Sequence, residues 1–377
     1  MPDPHDRKFM RKALTLAEKS AGVASPNPPV GCVIVREGRI LGQGWHEYQS
    51  RHHAEAKALA GAPAGVRGAT AYITLEPCVH YGRTPPCAAA LIAAGVRRVV
   101  IGREDPNPLV TGKGISVLRS AGVEVEAGVF QLEAGRIIEP FACHVTTGMP
   151  LVVCKVGMSL DGRIATGGDR SDRITSEPSR EFSQRLRLQL DALLVGVETI
   201  LIDDPQLTYR GKLPKAHPLI AVVLDSHLRT PPTARIFQER PEGSILIYCR
   251  ADAPEARRRE LQAKGAGIIP VAHGPQGLDL HQVLRDLAAR EILGVLVEGG
   301  SRIHWSFISA KLVDKFYFFM APVVLGGSRA VPAVGGEGYA SVEVAPTFKI
   351  SREFRAGNDL ILETYPRFSR SILSPWL

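Results

Sequence analysis

His53-Ala54-Glu55, Thr74-Leu75-Glu76-Pro77-Cys78 and Pro85-Pro86-Cys87 are the stretches that decide how the first half of this chain folds. One imidazole and two thiolates are donors for a tetrahedral Zn²⁺ whose fourth position stays open for water. Glu55 is not a ligand in this reading; it carries protons between that water and a leaving amine. For the donors to converge, His53 must open a helix, Cys78 must end a strand, and Cys87 must lie in the first turn of another helix. The prolines supply the breaks, Pro77 after the strand and Pro85 or Pro86 before the helix. Two helix N-termini then aim their positive ends at one point, which lowers thiolate pKa values and suits a metal hydroxide.

Outward from these stretches, residues 6–20 place Met10, Leu14 and Ala17 at helical spacing. Pro26-Asn27-Pro28-Pro29 breaks the chain, and Asn27 either hydrogen-bonds a substrate or caps a turn. Val30 to Val35 reads as a buried strand, and Arg36-Glu37-Gly38 turns it into a second one over 39–45. Strands over 69–75, 97–102 and 123–127 and a helix over 114–121 complete an alternating α/β domain. Ala142 to Pro150, with Thr146-Thr147-Gly148 in it, reads as a linker. Beyond it, apolar runs at 151–156, 192–196, 219–224, 244–248, 268–271 and 294–297 alternate with helical stretches near 177–190, 254–264, 279–291 and 302–311. That alternation predicts a second, mostly parallel sheet with covering helices, closed by strands at 315–320 and 359–365. The expected domains are residues 1–146 and 149–377.

A length of 377 residues is too great for one ordinary core, and 45% hydrophobic with 22% charged residues is a globular composition. No apolar run reaches the ~18–20 residues that span a bilayer, and the first residues do not read as a secretory signal, so the expected location is cytoplasmic. Six cysteines in such a chain favour thiols and a metal over disulfides, with Cys32 and Cys154 in the core. The net charge of +8 admits a nucleic acid, a membrane surface or small anions. Its two basic clusters, Arg257-Arg258-Arg259 and Arg367-Phe368-Ser369-Arg370, read as a solvated helix face and a loose end. Small anionic molecules are therefore the expected partners, with no nucleic acid and no membrane.

Eight residues separate Cys78 from Cys87, where zinc deaminases of nucleobases carry two. The interval includes His80, Tyr81 and Arg83, and an arginine fork suits the phosphate of a polar substrate. A deaminase acting on a nucleic-acid base remains open on the zinc motif and the charge, although no basic-aromatic stripe supports it. In the second half, Val297-Glu298-Gly299-Gly300-Ser301 ends a strand and opens a helix, which lets backbone amides approach an anion. Ser159-Leu160-Asp161-Gly162-Arg163 and the polar stretch from Asp203 to Arg210 read, taken alone, as solvated turns.

Together these pieces resemble the bifunctional deaminase–reductase family of riboflavin biosynthesis. Pro26-Asn27-Pro28, His53-Ala54-Glu55, Thr74 to Cys78, His80 to Cys87 and Asp105-Pro106-Asn107-Pro108 carry the resemblance in the first half. Ser159 to Ala165, Asp191 to Gly196, Asp203 to Arg210 and Val297 to Gly300 carry it in the second. The long interval between the two zinc cysteines is itself a mark of the family. The resemblance implies an α/β fold in two parts, an N-terminal cytidine-deaminase-like three-layer α/β/α domain and a C-terminal dihydrofolate-reductase-like α/β domain. It implies hydrolytic deamination of 2,5-diamino-6-ribosylamino-4-pyrimidinone 5′-phosphate, then NADPH-dependent reduction of the ribosyl group to ribityl. One Zn²⁺ per chain, NADPH, phosphorylated pyrimidine substrates and a homo-oligomeric state follow as expectations.

Carried over residue by residue, the resemblance makes His53, Cys78 and Cys87 the zinc ligands and Glu55 the proton shuttle. It puts substrate contacts on Ser171, Arg187, Leu207, Arg210 and Glu298, and cofactor contacts on Gly157, Thr199, Asp203, Ser226, Gly300, Ser301, Arg302 and Ile303. Arg173 also falls at the cofactor, where the family carries tryptophan. Lys155 is placed beside the reacting hydroxyls; Asn27 and Arg83 complete the substrate set. Ser50 and His52 stand where the family has Gly and Pro, and Ile138 where it has Asn.

Overall fold

Strand β1 (Gly31–Arg36) is buried on both faces, and the first of two compact units, which divide at Gly148 and Met149, is layered around it. The computed structural model describes residues 3–50, 52–62, 64–79, 85–167 and 173–373. β2 (Arg39–Trp45) and β3 (Thr70–Leu75) flank β1 antiparallel, and β4 (Arg98–Arg103) and β5 (Glu124–Ala127) continue the sheet in parallel, giving the order β2-β1-β3-β4-β5. Successive residues of β1 serve opposite layers, as a two-residue period requires. Val33 and Val35 pack with Phe9, Met10, Ala13 and Leu14 of α1 (Pro4–Lys19). Cys32 and Ile34 face the other way, toward α2 (Ala54–Ala60), α3 (Cys87–Ala93) and α4 (Lys113–Ser120), whose Ala58, Leu91 and Leu118 share their cluster. This unit is a three-layer α/β/α sandwich.

Two more helices follow, α5 (Gln131–Ile137) and α6 (Glu139–Thr147), and the second corrects the linker expected from Ala142. Ala142 and Cys143 are fully buried, and the hydroxyls of Thr146 and Thr147 donate back to their carbonyls at 2.7 and 2.6 Å. Threonines that look like turn residues are thus satisfied inside the helix. The helix stops at Gly148, which takes the left-handed conformation at φ 69°. Ile138 is the buried joint between α5 and α6.

The second unit begins with β6 (Leu151–Ser159) and the short β7 (Arg163–Ala165), followed by α7 (Glu177–Gln189), β8 (Ala192–Gly196) and α8 (Val197–Asp203). Next come β9 (Ile220–Leu224), β10 (Ile245–Arg250), α9 (Glu255–Gln262), β11 (Gly267–Val271) and the short pair β12 (His273–Gly274) and β13 (Gly277–Leu278). The chain ends with α10 (Leu280–Ala289), β14 (Gly294–Val297), α11 (Ser301–Ser309), β15 (Lys315–Ala321), β16 (Val331–Pro332), β17 (Phe348–Ala356) and β18 (Asp359–Pro366). Among the described residues the main sheet has nine strands in the order β11-β10-β9-β8-β14-β6-β15-β18-β17. All pairs are parallel except those made by β18, which fits the expectation of a mostly parallel sheet. Val283, Leu284 and Leu287 of α10 and Phe307 of α11 cover one face, packing with Val152, Cys154, Leu194 and Val295. Phe182 of α7 meets Tyr317, Phe319 and Phe354, at centroid distances of 5.7, 5.7 and 5.2 Å.

All six cysteines are free thiols, and Cys32 and Cys154 are fully buried as expected. No helix among the described residues is long and apolar enough to cross a membrane. Both basic clusters are tied down more firmly than expected. Arg257 donates to the carbonyls of Leu228 and Thr230, and Arg258 to those of Arg250, Ala251 and Ala253, so only Arg259 fits a solvated face. Arg370 forms a fork with the fully buried Asp314, so that end of the chain is anchored.

Candidate functional sites

In the first unit, the placement of α2 depends on β2 having glycine where the two meet. A Cβ on Gly42 would lie 2.0 Å from the Ala58 carbonyl oxygen, and one on Gly44 would lie 2.3 Å from that of Ala54. This close seat puts His53, the residue capping α2, and Glu55 in its first turn at the C-terminal end of β3. Cys78 follows β3, and Cys87 opens α3 behind Pro86. The donor atoms of His53, Cys78 and Cys87 all lie within 4.8 Å of one another, with His53 Nδ1 at 3.2 Å from Cys87 Sγ and 3.6 Å from Cys78 Sγ.

The thiols behave as a pair sharing one proton: the Cys87 S–H holds Cys78 down to about 4, while that bond and burial push Cys87 up. A soft dication at this point lets both be thiolates, so the donor set fits Zn²⁺. Glu55 is 4% exposed, and burial raises its carboxyl above the ordinary glutamate value.

His53, Glu55 and Cys78 border a cavity of about 200 Å³ lined also by Asn27, His46, Leu75, Glu76, Asp105, Asn107 and Phe141. His46 was not singled out from the sequence. Its Nδ1 faces the His52 carbonyl at 3.0 Å, and a carbonyl only accepts, so that nitrogen carries the proton. Nε2 then accepts from the Asn27 amide at 3.1 Å, which orients Asn27 and leaves its Oδ1 as an acceptor. Burial lowers His46 to about 4 and keeps the ring neutral.

Glu76, also buried, accepts the backbone N–H groups of Asp105, Gly112 and Ile115 at 3.1, 3.0 and 3.1 Å. One carboxylate thereby pins the Asp105–Asn107 turn against the cavity. Arg83, expected at the substrate, lies outside the described residues.

In the second unit, Arg187 of α7 and Glu298, the residue after β14, form an ion pair with Nη2 at 2.6 Å from the carboxylate, each side chain 13% exposed. Arg187 Nη1 also donates to the Thr208 carbonyl at 2.8 Å. Lys155 on β6 has its ammonium 5.0 Å from the Phe319 ring centroid. Burial lowers its pKa, partly offset by Glu298, and Arg187 lowers it further. These three residues are far apart in sequence and share one charged cluster. Leu207 is 4% exposed and sits in the left-handed region at φ 52°. Arg210 is exposed, with its N–H held by the Gln184 side chain at 2.8 Å.

Of the residues carried over for the cofactor, Thr199 and Asp203 lie on α8, which replaces part of the expected polar turn. Gly196 and Gly299 both make room for Ile303, since a Cβ on either would come within 2.8 Å of that side chain. Gly300 caps α11 with open space where a Cβ would be, and the Ser301 hydroxyl beside it is buried without a hydrogen-bond partner among the described residues. An orphaned hydroxyl and an unobstructed glycine at a helix start fit a phosphate-bearing cofactor. Gly157 lies on β6 against Thr175, Ser226 is half-buried after β9, and Arg173 and Arg302 are exposed. Ser171 lies outside the described residues. Asp161, first read as part of a solvated turn, accepts from the Ser159 hydroxyl and the N–H groups of Leu325 and Gly326, which hold its carboxyl down to about 2.

Residues 150–362 match the family described as the RibD C-terminal domain, and residues 3–103 match the cytidine and deoxycytidylate deaminase zinc-binding region. The riboflavin biosynthesis protein RibD of Actinobacillus pleuropneumoniae is 38% identical over 358 residues, covering 95% of this chain and 94% of that one. Its counterpart in Aquifex aeolicus (strain VF5) is also 38% identical, over 95% and 97% of the two chains. Among solved structures, Acinetobacter baumannii RibD, form 1, superposes with a TM-score of 0.84 at 35% identity, covering 96% of this chain and 99% of that one. The diaminohydroxyphosphoribosylaminopyrimidine deaminase/5-amino-6-(5-phosphoribosylamino)uracil reductase of Thermotoga maritima superposes with a TM-score of 0.82 at 33% identity, with the same coverage.

Proposed function

This chain belongs to the RibD family of riboflavin biosynthesis proteins, and we propose that its side chains divide the family's two consecutive reactions as follows. The chain is a bifunctional enzyme, a zinc-dependent deaminase and an NADPH-dependent reductase. It removes an amine hydrolytically from 2,5-diamino-6-ribosylamino-4-pyrimidinone 5′-phosphate and then reduces the ribosyl group of the product to ribityl. We assign the first reaction to residues 1–146 and the second to residues 149–377.

In the first reaction His53, Cys78 and Cys87 hold the zinc, which supplies a polarised water as the nucleophile. Glu55 would pass the two protons of that water to the pyrimidine, one to the ring nitrogen beside the attacked carbon and one to the exocyclic nitrogen, which would leave as ammonia while the water oxygen becomes the carbonyl. Asn27, oriented by neutral His46, accepts from a pyrimidine N–H, and Arg83 binds the phosphate.

In the second reaction Gly157, Arg173, Thr199, Asp203, Ser226 and the Gly300–Ile303 turn would hold NADPH, which would supply the hydride. C1′ of the ring-opened ribosylamine accepts it. Lys155, with a pKa lowered by burial, passes a proton to the ribose oxygen freed by ring opening. Ser171, Arg187, Leu207, Arg210 and Glu298 place the phosphoribosyl group, two arginines suiting one phosphate.

The observation that carries this reading is the convergence of one His and two Cys within 4.8 Å of one another, beside a cavity that His53, Cys78 and the buried Glu55 line. Purified protein should hold about one zinc per chain and oxidise NADPH only when the pyrimidine phosphate is supplied. Zinc-free protein that still deaminates would sink the first half of the reading. Reduction that survives loss of residues 150–377 would sink the second. We further place the enzyme in the cytoplasm, on its six free thiols, to be checked by cell fractionation. We also infer a homo-oligomer, supported by the polar edge strand β17 with Ile350 53% exposed; light scattering that returns one chain mass would reject it.

A further inference from the structure

We propose that Arg240 is a positioning residue of the reductase, acting through the backbone of Gln206 and Leu207 to present Leu207 and Arg210 to the substrate. This rests on the assignment of those two residues to the substrate, made above. Arg240 lies outside every sequence motif of the second half, in the stretch before β10, and nothing in the proposed reaction uses it directly.

The guanidinium spans two parts of the unit. Nη1 donates to the carbonyls of Leu219 and Ser244, at 3.0 and 3.2 Å, which lie just before β9 and β10. Nη2 donates to the carbonyls of Gln206, at 2.8 Å, and Leu207. Among the described residues Arg240 has no acidic partner, so its charge is met by carbonyl dipoles alone. From the other side Arg187 takes the next carbonyl, that of Thr208, at 2.8 Å, while Gln184 holds the N–H of Arg210 at 2.8 Å.

Consecutive carbonyls at 206, 207 and 208 are thus drawn to two guanidiniums, and the segment is fixed to the sheet and to α7. A grip is needed there. Leu207 holds φ 52°, a left-handed conformation that a branched residue keeps only where its surroundings impose it. Asp204, three residues earlier, is also left-handed, at φ 40°.

Only a planar fork reaches two pairs of acceptors at once; an ammonium on a flexible stem reaches one. Without Arg240 the Leu207 backbone is free to leave the left-handed region, and Leu207 and Arg210 lose their register with Arg187 and Glu298. The effect falls on binding of the phosphoribosyl group. The proton donor Lys155 and the Gly300–Ile303 turn keep their places.

The test uses the full-length enzyme with Arg240→Lys and Arg240→Met, supplied with the deaminated pyrimidine phosphate and NADPH. Both variants should raise KM for the pyrimidine phosphate about tenfold or more while kcat stays within about threefold and KM for NADPH is unchanged. Guanidinium ion added to Arg240→Ala should recover part of the affinity, which methylammonium should not. Arg240→Lys keeps the charge and most of the side chain, so it serves where Arg240→Met fails to fold. A folded Arg240→Lys enzyme with wild-type KM, or a fall in kcat alone, overturns the proposal. Arg210→Ala run alongside isolates the underlying assignment: an unchanged KM there removes Arg210 from the substrate site. A raised KM there, beside a wild-type KM in both Arg240 variants, rejects the Arg240 clamp by itself.

Discussion

Glu76 and Arg240 solve the same problem with opposite charges. In the deaminase unit one buried carboxylate gathers three backbone N–H groups and fixes the turn that borders the zinc cavity. In the reductase unit one guanidinium gathers four backbone carbonyls and fixes the segment that borders the substrate cluster. The sign of each clamp matches what its site receives. Cys78, Glu55 and Glu76 line the cavity proposed for the zinc reaction, whereas Lys155 and Arg187, with Glu298, form the cluster proposed to receive a phosphorylated substrate. A loop-fixing group buried near a site adds to the site's field whether or not it touches ligand.

The sharpest way to break this contrast is at the reacting groups. Glu55→Gln should lower deamination by about 10²–10⁴-fold, leave zinc content unchanged and leave reduction of the deaminated intermediate at the wild-type rate. A parallel loss of reduction would show that the two chemistries are not separable.

Lys155→Met should cost reduction about 10²-fold or more in kcat with deamination intact. The proposed proton donor is the charged form of Lys155, whose pKa burial lowers from the ordinary lysine value of 10.5. The kcat of reduction should therefore fall as pH rises, with a midpoint below 10.5, and Lys155→Met should lack that limb. A limb that persists in the variant would move the proton-donor role to another group.

Glu76→Gln leaves buried amides facing an NH₂ group, and the deaminase unit should lose about 3 kcal/mol in denaturant titrations, with the reductase unit's transition unmoved. An unchanged first transition would reduce the carboxylate clamp to decoration. The smallest effect separates gripping arginines from solvated ones. Arg257→Ala should cost about 1 kcal/mol, and Arg259→Ala should stay within about 0.5 kcal/mol.

The zinc ligands were legible because each sits where local chemistry already constrains the chain: a helix start, a strand end broken by Pro77, a helix start behind Pro86. Their spacing needs no knowledge of the rest of the fold. The cluster of Lys155, Arg187 and Glu298 was legible only through resemblance, since Arg187 and Glu298 meet across a sequence separation of 111 that carries no local trace of the contact. Arg240 left no signal at all, because a Gln238-Glu239-Arg240-Pro241 turn looks solvated until the Leu207 carbonyl is brought to it. His46 was equally silent; its value lies in a carbonyl and an amide placed by other strands.

Two elements were misread for reasons of sequence pattern. α6 looked like a linker because threonines and glycine favour turns, yet its threonines donate to their own helix. β17 escaped notice because an edge strand has one bare side, and Lys349, Arg352 and Glu353 give it the polarity of a loop.

The position of β6 sets an order on how the chain comes into being. Both of its neighbours in the sheet, β14 and β15, come from residues 294–321, so the first strand of the reductase unit has no partner until most of the chain has left the ribosome. The sheet of the deaminase unit, by contrast, is complete within residues 31–127. A growing chain can therefore close its zinc cavity and collect its metal while Leu151 to Ser159 still waits, an apolar strand in need of shelter from other unfinished chains. Synthesis that halts between the two events would leave the first unit folded and bearing a sticky tail, and that tail is where chaperones should be found bound.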